Sequence, residues 1–249
     1  MPRIFIVLAL VTVAVFAWMF YQYSEQKQES MALLEYETVL DEKTETLYQQ
    51  AKNWQKPIVI EVDDDRLDGD YAEMATFILT SMRDNAELRN QYLRDLKAQN
   101  WDRFLDVKRF AKDQQQGYKE TEAMLLAVHN IVNTYEEKTQ NRDDLLIQTA
   151  RQLDIKSRYR QQLIKNLKTN LENDDSDAIF ELEKLSFAKA NELFALLKQY
   201  KWKDQNNMFM FYEDAPIQPF NEIYREILDL NAKMEMIKSN NQTELEQQL

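Results

Sequence analysis

The apolar positions of this chain follow two regimes, one continuous segment near the start and then widely spaced stripes. Residues 4–21 form an uncharged apolar run of eighteen residues that includes Ile4, Phe5, Ile6, Val7, Leu8, Val11, Val15, Phe16, Trp18, Phe20 and Tyr21. A helix over this run is about 27 Å long at 1.5 Å per residue, close to the roughly 30 Å thickness of a bilayer's hydrocarbon core. Trp18, Tyr21 and Tyr23 sit at its far end, where amphipathic rings favour the headgroup region, and Arg3 marks its near end. A transmembrane helix is predicted. A cleavable signal peptide is the competing reading, since Val15 and Ala17 fit a permissive cleavage site. The apolar run continues through Trp18, Met19 and Phe20, however, which favours a retained signal-anchor over residues 4–23.

Beyond the run, apolar residues recur at intervals of three and four, the signature of amphipathic helices. The first stripe is Leu33, Tyr36, Leu40, Leu47, Ala51 and Trp54, in a segment (24–56) read as a stalk continuing the anchor or as a first bundle helix. Pro57 ends it. A second helix is expected after Gly69, with Asp70 as cap and Glu73 three residues on, and a stripe of Tyr71, Met74, Ile78, Met82, Tyr92 and Leu96. A short amphipathic piece over 101–111 precedes a polar break at 114–117. Residues 123–135 are the most apolar helical stretch outside the anchor and predict a centrally placed helix. One helix is expected over 145–171 after a cap at 141–144, another from about 177 to Trp202, and a last one carrying Phe220, Ile223, Tyr224, Ile227, Met234 and Ile237. Pro216 and Pro219 are expected to hold off its start, and the polar tail from Ser239 to fray.

Two stretches have strand character: 58–62, rich in β-branched residues, and 208–212, Met208, Phe209, Met210, Phe211 and Tyr212. They are candidates to pair as a small ribbon closing one end of the bundle. The predicted fold is all-α: one N-terminal transmembrane helix, then a bundle of about six helices over 57–238 with two short extended segments. No repeat of fixed period is present, and no segment sustains heptads as a long coiled coil would.

Composition reinforces this picture. Two Gly and four Pro in 249 residues leave few sites for sharp turns, which favours long helices. The chain holds 31 Lys plus Arg against 43 Asp plus Glu, and only Arg3 among them precedes Ser24, so the region after the anchor has 30 against 43, a net of −13. Such a surface repels phosphate backbones, which argues against nucleic acid as a partner. Absence of Cys removes disulfides, thiolate chemistry and a lipid-modified cysteine. Arg3 before the anchor, against one Lys and two Glu in residues 22–29, orients the N-terminus to the cytoplasm and the C-terminal domain to the periplasm of a bacterium.

Candidate chemistry is sparse. His129 is the single histidine, and the nearby acids, Glu122 and Glu136, lie two helical turns away on either side, so no Glu-x-x-His metal pattern forms. Gly69 and Gly117 stand alone, so no glycine-rich phosphate loop is possible. The acidic loop 61–70 fails as a calcium-binding EF-hand, with Arg66 and Ala75 where carboxylates are needed. A basic stretch, Arg151, Lys156, Arg158, Arg160, Lys165 and Lys168, is expected to face acidic neighbours such as those between 35 and 45. The aromatic residues Trp54, Trp101, Trp202, Tyr200, Phe209 and Phe211 are read as core at helical spacing, with a ligand pocket as the alternative. No catalytic residue, cofactor or metal site is predicted.

What remains is an address and a surface. Strand geometry would send alternate side chains of 208–212 to opposite faces, leaving one apolar set for a partner. The expected function is a membrane-tethered interaction or scaffold protein of the cell envelope, partnered by the membrane and by another envelope protein. The alternative is a tethered module holding a small molecule between helices. With three residues before Ile4, the anchor is expected to tether rather than signal.

Overall fold

A computed structural model describes residues 27–172 and 176–246. The predicted anchor at 4–21 lies outside them. Among the described residues, no helix is long and apolar enough to cross a membrane.

The chain is predominantly helical with one two-stranded sheet. In order it forms α1 (Lys27–Lys52), α2 (Gly69–Ala98), a 3-10 turn (Trp101–Arg103), α3 (Val107–Gln114), α4 (Lys119–Thr139), α5 (Arg142–Gln152) and α6 (Ser157–Leu171). There follow α7 (Ser176–Gln199), β1 (Trp202–Gln205), β2 (Met208–Phe211) and α8 (Ile217–Glu246). These elements gather into two compact units. The first takes the described residues up to Gln91, Glu136–Ser176 and the described residues from Asn241; the second takes Tyr92–Tyr135 and Asp177–Asn240. Each has its own apolar core.

In the first unit, α1 is a core element from Leu33 to Ala51. Tyr36, Leu40 and Leu47 are fully buried against Met74, Ile78, Leu79 and Met82 of α2 and Tyr159, Leu163 and Leu167 of α6. The three-and-four spacing that puts these residues on one stripe is what lets each helix bury a single face. Tyr71 bridges the aromatic part of the core, with its ring 5.4 Å from that of Tyr36 and 6.0 Å from that of Tyr159.

Residues 58–62 do not pair with 208–212. Side chains bond the backbone of Ile58, Val59 and Glu61 instead. Gln50 closes two bonds with Val59, accepting from its N–H at 2.8 Å and donating to its carbonyl at 3.0 Å, and the Ile58 N–H donates to Glu87 at 2.8 Å. Lys43 donates to the carbonyls of Glu61 and Asp63 at 2.8 and 2.6 Å. An extended segment satisfied in this way needs no strand partner.

The helix expected over 145–171 is two helices. Leu153 leaves the helical region at φ −58°, ψ 135°, Ile155 turns into the core, and Arg160 donates to the freed Leu153 carbonyl at 2.7 Å. Asp70, expected to cap α2, instead accepts from the Lys156 backbone N–H at 3.3 Å and ion-pairs with its ammonium at 3.5 Å.

The second unit starts with a correction to 101–111. A 3-10 turn carries Trp101, and Asp106 then caps α3 by accepting from the Arg109 N–H at 3.0 Å. The predicted break follows, with Gly117 and Tyr118 both left-handed at φ 74° and 64°. Asp113, buried at the end of α3, reaches over this turn to cap α4. It accepts from the amides of Glu120 and Thr121 at 3.0 and 2.8 Å and from the Thr121 hydroxyl at 2.7 Å. These amides belong to the first turn of a helix, which has no internal acceptors.

Helix α4, expected to sit centrally with apolar residues around much of its circumference, has a narrower buried face. It buries Met124, Leu125, Val128 and Val132 along one stripe and leaves Leu126 exposed. Helix α7 stops at Gln199, short of Trp202, because Trp202 is the first residue of β1. Its last turn is closed from outside: Tyr118 Oη donates to the Leu197 carbonyl at 3.0 Å, and Trp202 Nε1 lies 3.0 Å from the same oxygen. The last helix begins at Ile217 with Pro219 inside its first turn, where a missing N–H removes no helical bond. It runs to Glu246, through the stretch expected to fray from Ser239.

Candidate partner-docking surface

The segment 208–212 forms a hairpin with the residues just before it. Asn206 and Asn207 both take left-handed backbone, φ 56° and 61°, so a two-residue turn joins β1 to β2 with the twist that antiparallel strands require. Asn tolerates this conformation better than other residues with a Cβ, which is why an Asn-Asn pair makes the turn here. Asp204 supports it by accepting from the Asn207 N–H at 2.9 Å. The register pairs Trp202 with Phe211, Lys203 with Met210, Asp204 with Phe209 and Gln205 with Met208.

One face of the hairpin is core. The Phe209 ring lies 4.8 Å from Trp202, 5.6 Å from Phe110 and 5.5 Å from Phe220, and Phe211 lies 5.4 Å from Phe220. The other face is open. Met208 is 62 % exposed, Met210 44 % and Tyr212 65 %, although all three are large and apolar. Period two therefore divides the candidate set cleanly: Phe209 and Phe211 anchor the hairpin, and Met208, Met210 and Tyr212 face outward.

Residues opposite each other across antiparallel strands share a face. Lys203 thus stands beside Met210, and its ammonium is 5.8 Å from the centre of the Tyr212 ring. Lys201 belongs to the same face, since its carbonyl accepts from the Tyr212 N–H at 3.1 Å, which extends the ladder by one pair. Sequence reasoning missed both lysines because the helix was expected to run through them. Ile217, Tyr224 and Leu228, spaced by seven and four residues along α8, form a second exposed apolar stripe. Tyr224 therefore leaves the predicted core stripe, whereas Ile227 and Met234 are buried.

Of the candidate aromatic residues in this unit, Trp202 is core, Trp101, Phe209 and Phe211 pack against the same cluster, and Tyr200 is half-buried outside it. Trp202 Nε1 also lies 3.1 Å from the Tyr118 hydroxyl, and burial pushes the Tyr118 phenol upward. Trp101 stacks on Phe104 at 4.8 Å and meets Phe187 edge-on at 5.0 Å.

The remaining candidates resolve one by one. In the acidic loop, the Lys43 ammonium sits among the Glu61 and Asp63 carbonyls, 3.4 Å from the Asp64 carboxylate. Arg66 joins Asp64 to Glu42 at 2.9 and 2.7 Å, and the bonds that Asp64 receives from Arg66 and Lys43 hold its carboxyl well below the usual range. A lysine and an arginine already serve as the loop's cations. Among the described residues, no group of three or more His, Cys, Asp or Glu is placed to hold a metal ion. His129 is exposed, with Nε2 3.1 Å from the Asn133 carboxamide nitrogen. In the basic stretch, Arg158 lies over the Tyr159 ring and donates to its hydroxyl at 2.8 Å, Lys156 pairs with Asp70, and Glu42 is taken by Arg66.

The first unit also carries an open groove of about 660 Å³ along α2 and α5. Phe77, Leu88, Leu145, Leu146 and Leu153 line it with Thr76, Thr80 and Thr149, and no Trp or Tyr takes part. No family description, curated protein or solved structure matches the chain.

Proposed function

We propose that this chain is a membrane-tethered interaction protein of the bacterial cell envelope. Residues 4–23 anchor it, and the acidic helical domain that follows docks another envelope protein from the periplasmic side. The observation carrying this reading is the division of 208–212, in which Phe209 and Phe211 fix the hairpin to its core while Met208, Met210 and Tyr212 stay exposed. Covering these three side chains would remove apolar area from water without remodelling the unit beneath them. Crosslinking of the full chain in native membranes tests it. Met208→Asp with Met210→Asp should abolish the crosslinked complex while leaving the aromatic near-ultraviolet signal intact; unchanged crosslinking would refute the docking role.

The ligand-holding alternative is supported by the groove beside Phe77, Leu145 and Leu146, whose volume is in the range of small-molecule sites. Leu145→Arg should remove any ligand-induced rise in melting temperature if that groove is occupied in the cell.

A further inference from the structure

The outward face of the hairpin is unusual for this protein in its charge as well as its apolarity. Its six side chains are Lys201, Lys203 and Gln205 from one side and Met208, Met210 and Tyr212 from the other, all exposed. No acid is among them, in a chain whose 43 carboxylates outnumber its 31 basic residues. Asp204 is in the register of the opposite face and is engaged by the turn, while Glu213 and Asp214 follow only after Tyr212. Elsewhere in this unit lysines meet acids: Lys198 pairs with Glu122, and Lys189 bridges Glu192 and Glu226 at 2.9 and 2.8 Å. Lys201 and Lys203 form no ion pair among the described residues.

The backbone offers a second element of recognition. The Tyr212 to Lys201 bond fixes which pairs exchange hydrogen bonds, and alternation then turns the N–H and C=O groups of Phe209 and Phe211 away from β1. The sheet has two strands, so the outer edge of β2 has no ladder partner among the described residues.

We infer that this face receives an extended segment of a partner protein that carries apolar and acidic side chains together on one of its two faces, at every second position. The segment adds along the free edge of β2; the apolar side chains of its outward face sit on Met208, Met210 and Tyr212, and the acidic ones of that same face meet the Lys201 and Lys203 ammonium groups, which reach across β2. Charge complementarity selects this occupant. A second copy of the chain would bring the same two lysines against themselves, and the net charge of −12 opposes approach to an anionic lipid surface. The inference rests on the docking role proposed above and specifies the chemistry of the partner.

The test uses the full chain in phosphatidylcholine nanodiscs and two fluorescent peptides, one repeating Glu-Thr-Val-Thr and one repeating Lys-Thr-Val-Thr, so that charged and apolar side chains share a face. Anisotropy should show the acidic peptide binding at least about tenfold more tightly than the basic one, with the preference weakening as salt rises. Lys201→Glu with Lys203→Glu should reverse the order, and Met210→Asp should weaken the acidic peptide at least about tenfold. Equal binding of the two peptides, no binding of the acidic one, or indifference to the charge reversal would overturn the inference. So would slowed amine labelling of Lys203 in discs containing phosphatidylglycerol, without discrimination between peptides, because that result assigns the face to lipid. If charge reversal has no effect but the paired Met-to-Asp change still abolishes the crosslinked complex, the docking role stands and only the acidic partner falls.

Discussion

Trp202 and Tyr118, 84 residues apart in sequence, place an indole nitrogen and a phenol oxygen 3.1 Å from each other, and both groups reach the carbonyl of Leu197. That carbonyl lies in the last turn of α7, where helical acceptors lack internal donors. The pair therefore closes a helix end and at the same time fixes the first residue of the hairpin. Trp202→Ala should destabilise the second unit by about 3–5 kcal/mol, the usual cost of emptying a large aromatic site. Tyr118→Phe should cost about 1 kcal/mol, since the indole retains the Leu197 carbonyl. Urea unfolding followed by near-ultraviolet circular dichroism measures both.

Asp113 couples stability to acid. Burial alone would raise its carboxyl, but bonds from the Thr121 hydroxyl and the Glu120 and Thr121 amides, with Arg109 nearby, outweigh burial and hold it below the ordinary range. A carboxyl depressed by folding contributes its full stability above its unfolded value, near 3.9, and loses it as pH falls through the folded value. Asp113→Asn should lower stability at pH 7 by about 1–3 kcal/mol, because its single carboxamide oxygen cannot accept all three bonds. It should also flatten the loss of stability below about pH 4. Melting temperatures across pH 3–7 test the sign.

The hairpin turn makes its own demand on sequence. Because Asn207 is held at φ 61°, Asn207→Gly should be neutral or stabilising by up to about 1 kcal/mol, and Asn207→Val should destabilise by about 1–2 kcal/mol. Loss of hairpin order in the valine variant would appear as broadened methyl signals from Met208 and Met210.

Lys43 is the cation of the acidic loop. Replacing it with Met keeps most of its apolar stem and removes the charge-assisted bonds to the Glu61 and Asp63 carbonyls. A loss of about 2 kcal/mol is expected, with hydrogen exchange accelerating in 58–65 before it does in α6.

Helix periodicity was the most legible part of this chain, because a stripe such as Met74, Ile78 and Met82 buries the same face whatever it packs against. What periodicity does not carry is where a helix stops for tertiary reasons. The break at Leu153 depends on Arg160 meeting its carbonyl and on Ile155 finding the core, neither of which leaves a local mark. The same limit hid β1: Tyr200 continues the apolar helical spacing from Leu196, and only Asn206-Asn207 signalled that the chain reverses beyond it. Reading that pair as a hairpin turn, rather than a helix interruption, would have paired 202–205 with 208–211 and exposed Lys201 and Lys203 as neighbours of Met210. The segment 58–62 misled in the opposite direction, since β-branched residues describe an extended backbone without saying whether strands or side chains satisfy it.

Photo-crosslinking from position 210 in native membranes tests the proposed docking role most directly. A photoreactive residue replacing Met210 should give one dominant adduct that the same residue at exposed Leu126 does not give, and Lys201→Glu with Lys203→Glu should weaken it. Absence of an adduct at 210, or the same adducts from both positions, would contradict the account.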